Sequence, residues 1–456
     1  MLRELLGPEI QLLLQQRRLA EVRDTVVEWE PPEVARLVEA LPPEERIVLF
    51  RLLPRAQAAD VFAYLSSELQ QELLAQLTSD RIRTLLEELD PDDRTALFEE
   101  LPGQVTQRLL NLLSAEERQE ALRLLGYPEG SVGRLMTPDY VAVRPHWTVD
   151  QALRHIRRMA RRAETINTVY VVDEGWKLLD EIPLQKLILA DPETLVRSLL
   201  DYRAVALRTT DSQEQAVALM REYDRTALPV VDQEGVLVGI VTVDDVLDVA
   251  VEEATEDIQK FGGMEALDTP YMATPFGEMV KKRAGWLSVL FISEMFTASA
   301  MAVFEHAIER VVLLAFFVPL VIASGGNSGS QAATLVIRAM ALGEITLRDW
   351  WRVIRRELLS GLSLGSILGA IGFLRVVAWE FLFDLYGPRW IPLAFTVGVA
   401  LIGIVLWGTL IGSMLPFVLR RLGFDPAASS APFVATLVDV TGIVIYFTVA
   451  SWFFGL

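Results

Sequence analysis

The chain has 456 residues, no cysteine and a formal net charge of −19 at neutral pH. This length predicts two or three domains, and the lack of cysteine excludes a disulfide framework or a thiolate metal site. The residues from Ala284 onward carry equal numbers of acidic and basic side chains, so the whole acidic excess lies in residues 1–283. Such an acidic region repels phosphate backbones, which excludes a nucleic-acid partner and favours cations.

Residues 1–130 predict an all-α domain built from a repeat. Leucine recurs every 12 residues, at Leu41, Leu53, Leu65, Leu77, Leu89, Leu101, Leu113 and Leu125. Several of these leucines begin turns such as LTSDR, LDPDDR and LSAEER, in which Ser, Thr or Asp can cap the next helix. One short helix and one turn per repeat predict a helical solenoid. The first residues carry charges throughout, unlike a secretory signal, so we expect this domain in the cytoplasm.

Residues 131–246 contain an internal duplication. VAVRPHWTVDQALRHI corresponds to VALRTTDSQEQAVALM, and VYVVDEG corresponds to LPVVDQEG. Each copy alternates strand and helix patterns in the order β-α-β-β-α. The pair resembles tandem CBS domains, which in other proteins are regulatory modules that bind adenosyl ligands or ions.

The second copy ends in GIVTVDDV, where Thr242 and Asp245 fit the ribose-and-phosphate motif of nucleotide-binding CBS domains. The alternative is that these two residues cap the helix that follows. The first copy departs from the motif, because Pro183 and Lys186 stand at the corresponding positions. This departure disfavours ATP as a ligand of the pair.

Residues 247–280 predict an acidic connecting helix that leads towards a membrane. The acids Asp244, Asp248, Glu252 and Glu256 are four apart and form one ridge, and no basic residue occurs between Asp244 and Gln259. Like charges at this spacing cost about 0.2–0.5 kcal/mol per pair. A solvated acidic face is one interpretation, but the density of acids favours divalent cations between this ridge and an acidic partner.

Residues 281–456 predict an α-helical transmembrane domain with five spans. Each apolar run approaches or exceeds the roughly 20 residues that cross a bilayer, and the runs are 284–304, 311–342, 357–379, 391–419 and 431–455. Basic residues concentrate before the first span, between the second and third, and between the fourth and fifth. The positive-inside rule therefore places the N-terminal domains in the cytoplasm and the C-terminus outside.

Two polar features within these spans point to an ion path. Asp439 lies within the last span, and no lysine occurs after Lys282 to neutralise it, so a water-filled path is favoured over a buried ion pair. The second span contains SGGNSGSQAAT, residues 324–334, in which no lysine follows the glycines as a P-loop requires. A helix-packing face explains its small residues. A bent, carbonyl-exposing cavity wall also explains Asn327 and is the interpretation we prefer.

A further acid, Glu294, lies within the first span and either lines the same path or bonds to a neighbouring helix. Oxygen ligands dominate what the chain offers, with only three histidines, so a hard cation is expected. Magnesium keeps several waters and needs few carboxylates, whereas calcium takes six to eight oxygens. One aspartate in a wet path therefore favours magnesium.

The leucine-rich N-domain, the CBS pair, the acidic helix, PLVIASGGNSGSQAAT and PFVATLVDVTG together resemble the MgtE family of magnesium channels. The resemblance implies a homodimer in the cytoplasmic membrane with its pore on the two-fold axis, and a transport rather than an enzymatic role. It implies a channel that imports Mg²⁺ and is closed when cytosolic Mg²⁺ binds the acidic domains. An ion-coupled secondary transporter or exporter of divalent cations, with Glu294 coupled to protons, is the alternative.

The resemblance also implies two sets of magnesium ligands. The pore ion would lie near Asp439, the Ala435 backbone and Asn327. The sensor acids would be Asp60, Asp92, Glu214, Asp224, Asp245, Asp248, Glu253, Glu256, Asp257 and Asp425. Two features depart from the family pattern, namely the altered first CBS copy and Glu294, where we expect a small or uncharged residue.

Overall fold

The computed structural model describes residues 2–267, 269, 271–272 and 274–455. The chain divides into two compact units, Met1–Val251 and Glu252–Leu456. The first unit contains the helical repeats and the α/β pair, and the second contains the apolar spans.

Short helices follow one another through the first part of unit 1, joined by turns of a few residues. They are α1 (Leu2–Gln15), α2 (Leu19–Val26), α3 (Pro31–Ala40), α4 (Pro43–Leu52), α5 (Arg55–Ala63), α6 (Ser67–Gln76), α7 (Ser79–Glu88), α8 (Pro91–Glu100), α9 (Gly103–Leu110), α10 (Ala115–Leu125) and α11 (Val132–Leu135). From α3 to α8 a leucine of the 12-residue repeat follows each helix, and most of these leucines are buried in one continuous core.

The turns differ from the predicted caps in one respect. Ser114 accepts a hydrogen bond from the backbone N–H of Glu117, as predicted for an N-cap. Ser66, Thr78 and Asp90 occupy the N-cap positions of their helices without a side-chain cap bond. The short helices are therefore stabilised mainly by burial of their apolar faces, and the Asp90 carboxylate remains available for other contacts.

A fully buried arginine joins three helices of the repeat. Arg94 on α8 is 2% exposed and donates to the Leu86 carbonyl of α7. Its guanidinium also forms ion pairs of 3.0 and 2.8 Å with Glu117 and Glu120 of α10. The guanidinium is removed from water, whereas the Glu117 and Glu120 side chains are 32% and 33% exposed. Truncation of Arg94 would therefore cost its charge-assisted hydrogen bonds without leaving a fully buried, unpaired charge.

Truncation of Arg94 is therefore expected to destabilise the repeat locally. Arg94→Ala should lower the free energy of opening of α7, α8 and α10 by about 1.5–3 kcal/mol, the range for hydrogen bonds to charged groups, measured by amide hydrogen exchange on the full chain. Arg36→Ala is the control, because Arg36 is 57% exposed in its pair with Glu33 and should cost under about 1 kcal/mol. Equal exchange in the two variants would contradict this account of Arg94.

The rest of unit 1 consists of two three-stranded sheets with the predicted order of strands and helices. The first copy comprises β1 (Ala142–Val143), α12 (Val149–Met159), β2 (Thr168–Val172), β3 (Leu178–Pro183) and α13 (Leu184–Leu189); the second comprises β4 (Leu207–Arg208), α14 (Gln213–Tyr223), β5 (Ala227–Val231), β6 (Leu237–Thr242) and α15 (Val243–Phe261). In each sheet the first two strands are parallel and the last two antiparallel. The apolar residues that alternate along these strands form the cores of the two copies.

Unit 2 contains helices long and apolar enough to cross a membrane. They are α16 (Phe276–Val303), followed by α17 (Glu305–Arg310), and α18 (Val318–Ala341), α19 (Trp350–Phe383), α20 (Trp390–Arg421) and α21 (Ala431–Phe454). With their adjoining 3₁₀ turns, α16 and α18–α21 form five candidate membrane spans. Within a single chain α18, α20 and α21 form the packed centre, whereas α16 buries none of its residues.

Candidate ion path and acidic cleft

Carboxylates from three parts of unit 1 converge on a cleft of about 530 Å³. The helical repeats and the α/β pair both contribute acids. These acids are Glu30, Asp60, Asp90, Asp92, Asp93, Glu164, Asp244, Asp245 and Asp248. Four of them, Asp60, Asp92, Asp245 and Asp248, were predicted from the sequence. The structure thus brings these four together, with five further acids beside them.

The cleft holds more carboxylates than can readily be ionised together. Burial, and then the charges of Asp245 and Asp93, raise the pKa of Asp92 well above its usual range. Burial and neighbouring carboxylates raise the pKa of Asp93 and of Glu164 to about 7. Burial raises the pKa of Asp245 to about 6, although the hydrogen bond from Thr242 lowers it. A positive charge in the cleft would relieve this repulsion.

Five cleft acids were missed as candidate ligands, for identifiable reasons. Glu30, the N-cap residue of α3, lies before the first leucine of the repeat. Asp90 and Asp93 belong to the LDPDDR turn, where acids are expected as helix caps. Asp244 was assigned to the acidic ridge but not to the ligand set. Glu164 follows α12 in a loop and has no periodic pattern that would single it out.

The geometry of the cleft suits a hydrated cation. Among the residues that the structure describes, no three Asp, Glu or His side chains lie at the spacing of direct metal ligands. Magnesium usually keeps several of its waters and contacts one or two carboxylates directly.

Thr242 and Asp245, the possible nucleotide ligands, are bonded to each other. The Thr242 hydroxyl donates to Asp245 Oδ2 at 2.6 Å, directly before and within the first turn of α15. In the first copy Lys186 donates to the Leu199 carbonyl at 2.7 Å. The Thr242–Asp245 bond joins the residue before α15 to the third residue of that helix.

The remaining predicted sensor acids lie outside this cleft. Glu214 is in the first turn of α14 and Asp224 is the left-handed residue at its end, so the helix separates them. Glu253 and Asp257 are partly buried on α15. Glu256 and Asp425 do lie together, because the Lys260 ammonium contacts both, at 2.8 Å from Asp425 Oδ2.

In unit 2 the SGGNSGSQAAT stretch is not bent, and this prediction was wrong. Residues 324–334 lie in the middle of the uninterrupted helix α18. Pro319 sits in the first turn of that helix, where a missing N–H breaks no intrahelical bond. The preceding residues form a 3₁₀ turn, which explains why the apolar run exceeds the length of one crossing.

The glycines of this stretch instead allow helices to touch. A Cβ on Gly408 of α20 would lie 2.4 Å from the Gly325 carbonyl oxygen, and one on Gly412 would lie 2.0 Å from that of Gly329. A Cβ on Gly325 would also meet Ile404 and Val438 side chains at 2.5 and 2.8 Å. The helix-packing interpretation is therefore correct for the glycines.

The polar residues of α18 lie on its other face. Asn327, Gln331 and Thr334 are exposed in the single chain and form one stripe along the helix. Beside this stripe, a Cβ on Gly326 would lie 3.3 Å from the Ala435 Cβ and 3.5 Å from Asp439 Oδ1. The structure thus places the predicted pore residues Asp439 and Ala435 against α18 immediately next to Asn327.

Glu294 belongs to the same region. It is exposed on α16, which packs along α21, and lies close enough for its charge to act on Asp439. Among the described residues, no Lys or Arg forms an ion pair with Asp439 or Glu294 within 4 Å. Two carboxylates on the apolar spans, with a polar helical stripe nearby, make this region the candidate ion path.

The glycine contacts predict a sharp difference between two positions of α20. Gly412→Ala should disrupt the α18–α20 contact, because its Cβ would meet a backbone atom that cannot turn aside. Gly403→Ala should be tolerated, because its Cβ would meet only the Ile445 side chain, at 3.4 Å. Size-exclusion profiles and cation flux of purified variants measure both; wild-type behaviour of Gly412→Ala would contradict the packing.

The fold and this site define a multi-pass membrane cation transporter with soluble acidic domains. Sequence profiles agree: residues 318–449 match the MgtE divalent cation transporter domain, 29–130 match the MgtE intracellular N domain, and 132–193 and 196–252 match CBS domains. The magnesium transporter MgtE of Thermus thermophilus is 48% identical over 329 residues, 72% of this chain and 71% of that protein. Its counterpart from Bacillus subtilis is 34% identical over 333 residues, 72% of this chain and 71% of that protein.

Solved structures are similar to the soluble part. The cytosolic domain of the Mg²⁺ channel MgtE in complex with ATP is 44% identical, with a TM-score of 0.52, and matches 53% of this chain and 99% of that one. The soluble part of a magnesium transporter is 31% identical, with a TM-score of 0.52, and matches 55% of this chain and 99% of that one.

The chain therefore belongs to the MgtE family of divalent cation transporters. This confirms the resemblance stated from the sequence. The predicted fold class is also confirmed, with a helical N domain, a CBS pair and five apolar helices able to span a membrane.

Proposed function

We propose that this protein is a magnesium-selective channel that imports Mg²⁺ across the cytoplasmic membrane and closes when cytosolic Mg²⁺ fills its acidic cleft. The observation that carries the proposal is the polar stripe of α18 beside Asp439. Lipid cannot satisfy Asn327, Gln331 or a carboxylate, so water and a cation must face them. The relatives named as magnesium transporters support magnesium as that cation.

A second copy of the chain completes the path in this proposal. In one chain the polar stripe is uncovered and α16 exposes apolar side chains such as Phe291, Ile292 and Phe296. Two copies around a two-fold axis would enclose the stripes and leave the apolar faces to lipid and to each other. The pore would then be lined by Asp439, the Ala435 backbone and Asn327 of both copies, with each C-terminus outside.

The ligand set favours magnesium over calcium. Each chain offers one aspartate and an amide to the path, which suits an ion that keeps its hydration shell. Calcium takes six to eight oxygen ligands directly, whereas magnesium keeps several of its waters, so one aspartate per chain in a wet path favours magnesium. Asp439 provides the attraction, and the Ala435 carbonyl and Asn327 order the water.

Gating follows from the repulsion in the acidic cleft. Without Mg²⁺, acids of α8 and α15 repel each other, which favours separation of the helical repeats from the CBS pair. Cytosolic Mg²⁺ would neutralise them and hold α15 in its closed position. Glu214, Asp224, Glu253 and Asp257, which the cleft does not include, would bind Mg²⁺ between two copies or near the membrane.

Removal of the pore charge should abolish conduction. Asp439→Asn keeps the size of the side chain and should reduce Mg²⁺ flux into liposomes by at least about 100-fold, since the cation loses its counter-charge at membrane depth. Asp384→Asn is the control, because Asp384 is an exposed residue with a left-handed backbone that asparagine tolerates. Magnesium uptake at the wild-type rate by Asp439→Asn would overturn the pore assignment.

Neutralisation of the cleft should uncouple the protein from internal Mg²⁺. In the wild type we expect a glutamate-specific protease to cleave residues 245–270 faster when Mg²⁺ is chelated. The double variant Asp92→Asn/Asp245→Asn has both less repulsion and fewer ligands, so its cleavage and its flux should respond to Mg²⁺ at least about fivefold less. The exposed Glu234→Gln should respond as the wild type does. An unchanged response in the double variant would contradict the sensor assignment.

An ion-coupled transporter or exporter is the second candidate, and Glu294 beside Asp439 is the observation that favours it. A carboxylate pair of this kind can exchange a proton for a cation. The same liposomes distinguish the two functions. Flux that follows voltage and Mg²⁺ alone supports the channel, and flux driven by a pH gradient and lost in Glu294→Gln supports the transporter.

A further inference from the structure

The end of the connecting helix is joined to the loop before α21 by one lysine. The Lys260 ammonium lies 2.8 Å from Asp425 Oδ2 and is also paired with Glu256, one helical turn earlier. A glutamate four residues before a lysine is the favourable order on a helix, and a cation in the last turn also suits the helix dipole. All three side chains are about two-thirds buried.

Both carboxylate oxygens of Asp425 accept a hydrogen bond in this arrangement. Its Oδ1 accepts the Ala427 N–H at 2.8 Å and so caps the turn that leads into α21, while its Oδ2 accepts from Lys260. A lysine side chain is ordinarily an ammonium ion at every physiological pH.

The residues that follow Lys260 in the chain contact the N-terminus of α21. α15 ends in a left-handed glycine, Gly263, whose φ is +74°. A Cβ on Gly263 would lie 3.4 Å from both Ser430 Oγ and Pro432 Cγ, at the N-terminus of α21. Lys282 at the start of α16 donates to the Ala266 carbonyl at 2.6 Å. The Lys260–Asp425 ion pair therefore holds a segment that also contacts the cytoplasmic ends of α16 and α21.

Direct binding of Mg²⁺ to Glu256 and Asp425 would have to displace this ammonium. A cavity of about 300 Å³, which Glu265 and Trp286 also line, opens beside Lys260. With the lysine removed, Glu256, Asp425 and Glu265 would face a space large enough for a hydrated divalent cation. With the lysine in place, their charge is already partly neutralised by a cation that cannot diffuse away.

We propose that Lys260 is a built-in, Mg²⁺-independent latch that holds the connecting helix to the α20–α21 loop and so positions α21, the helix that carries Asp439. This inference rests on the proposed Mg²⁺ gating. The Lys260 ion pairs then stabilise the closed state at every Mg²⁺ concentration, and Mg²⁺ bound in the acidic cleft supplies the rest of the stabilisation. The strength of the latch sets the Mg²⁺ concentration at which the channel closes.

The test is the internal Mg²⁺ concentration that half-closes the channel in liposomes. Lys260→Gln and Asp425→Asn each remove one charge, and the asparagine Oδ1 can still cap Ala427. Each should raise the half-closing concentration about three- to tenfold, in keeping with loss of a partly exposed ion-pair network. The double variant should shift it no further than either single variant. Lys260→Arg should restore the wild-type value, and Lys281→Gln should leave it unchanged.

Three results would overturn the latch. The first is an unchanged or lowered half-closing concentration in Lys260→Gln, which would mean that Mg²⁺ binds Glu256 and Asp425 and stabilises the closed state at least as well as the lysine does. The second is additivity of the two single variants, and the third is an equal shift in Lys281→Gln.

Failure of the proposed function has a different signature. In that case Mg²⁺ does not close the wild type at all. The latch is then judged by the coupling between Lys260 and Asp425 in the unfolding temperatures of the same four proteins, and additive temperatures would reject it.

Discussion

Repulsion between carboxylates is the interaction on which this structure depends. The fold draws Asp92, Asp93, Glu164 and Asp245 into one cleft, and each shows a raised pKa because burial and its neighbours disfavour its ionised form. A protein selected only for stability would pair such acids with arginine, as it does for Glu117 and Glu120 around Arg94. The contrast between the two sites within one domain supports our proposal that the cleft acids bind a mobile cation.

The membrane part solves the opposite problem, since it must keep a few charges at a depth where charge is costly. Glycine makes this possible. Because Gly325 and Gly329 meet Gly408 and Gly412 almost backbone to backbone, α18 and α20 pack without large side chains between them. The opposite face of α18 is then free to carry polar residues beside Asp439. One face of α18 therefore packs closely against α20, and in our proposal the opposite face lines a hydrated path. The two interpretations of the motif thus apply to different faces of one helix.

Most of the architecture could be predicted from sequence because it depends on periodicity. The leucine repeat, the duplication in the α/β pair and the apolar runs each repeat a local pattern, and local patterns survive without knowledge of tertiary contacts. The prediction of a bend at residues 324–334 was wrong because it, too, depended on a local pattern alone. Glycines in a row suggest a weak helix when read locally, but contacts with Gly408 and Gly412 stabilise that helix, and those partners are some 80 residues away.

The candidate site residues also divide into those that a local sequence pattern identifies and those that only tertiary contacts identify. Asp439 stands out in the sequence because an acid in an apolar span is rare, and Asp245 and Asp248 because acids cluster on one ridge. Asp93 and Glu164 become visible only when the fold brings a helix turn and a loop to the same cleft. Lys260 was passed over because it lies just beyond the acidic run, where a single lysine looks like ordinary compensation. Its contact with Asp425, distant in sequence, is what distinguishes it.

A mobile cation and a tethered one have different consequences for a gate. Mg²⁺ leaves its site when its concentration falls, so it reports on the cytoplasm, whereas Lys260 neutralises Glu256 and Asp425 at any concentration. A gate held by Mg²⁺ alone would bear the full repulsion of every acid at low Mg²⁺. A gate held by lysine alone would never open. In our proposal, some acids are neutralised by Mg²⁺ and others by Lys260. This division places the opening and closing of the channel within a usable range of Mg²⁺ concentration.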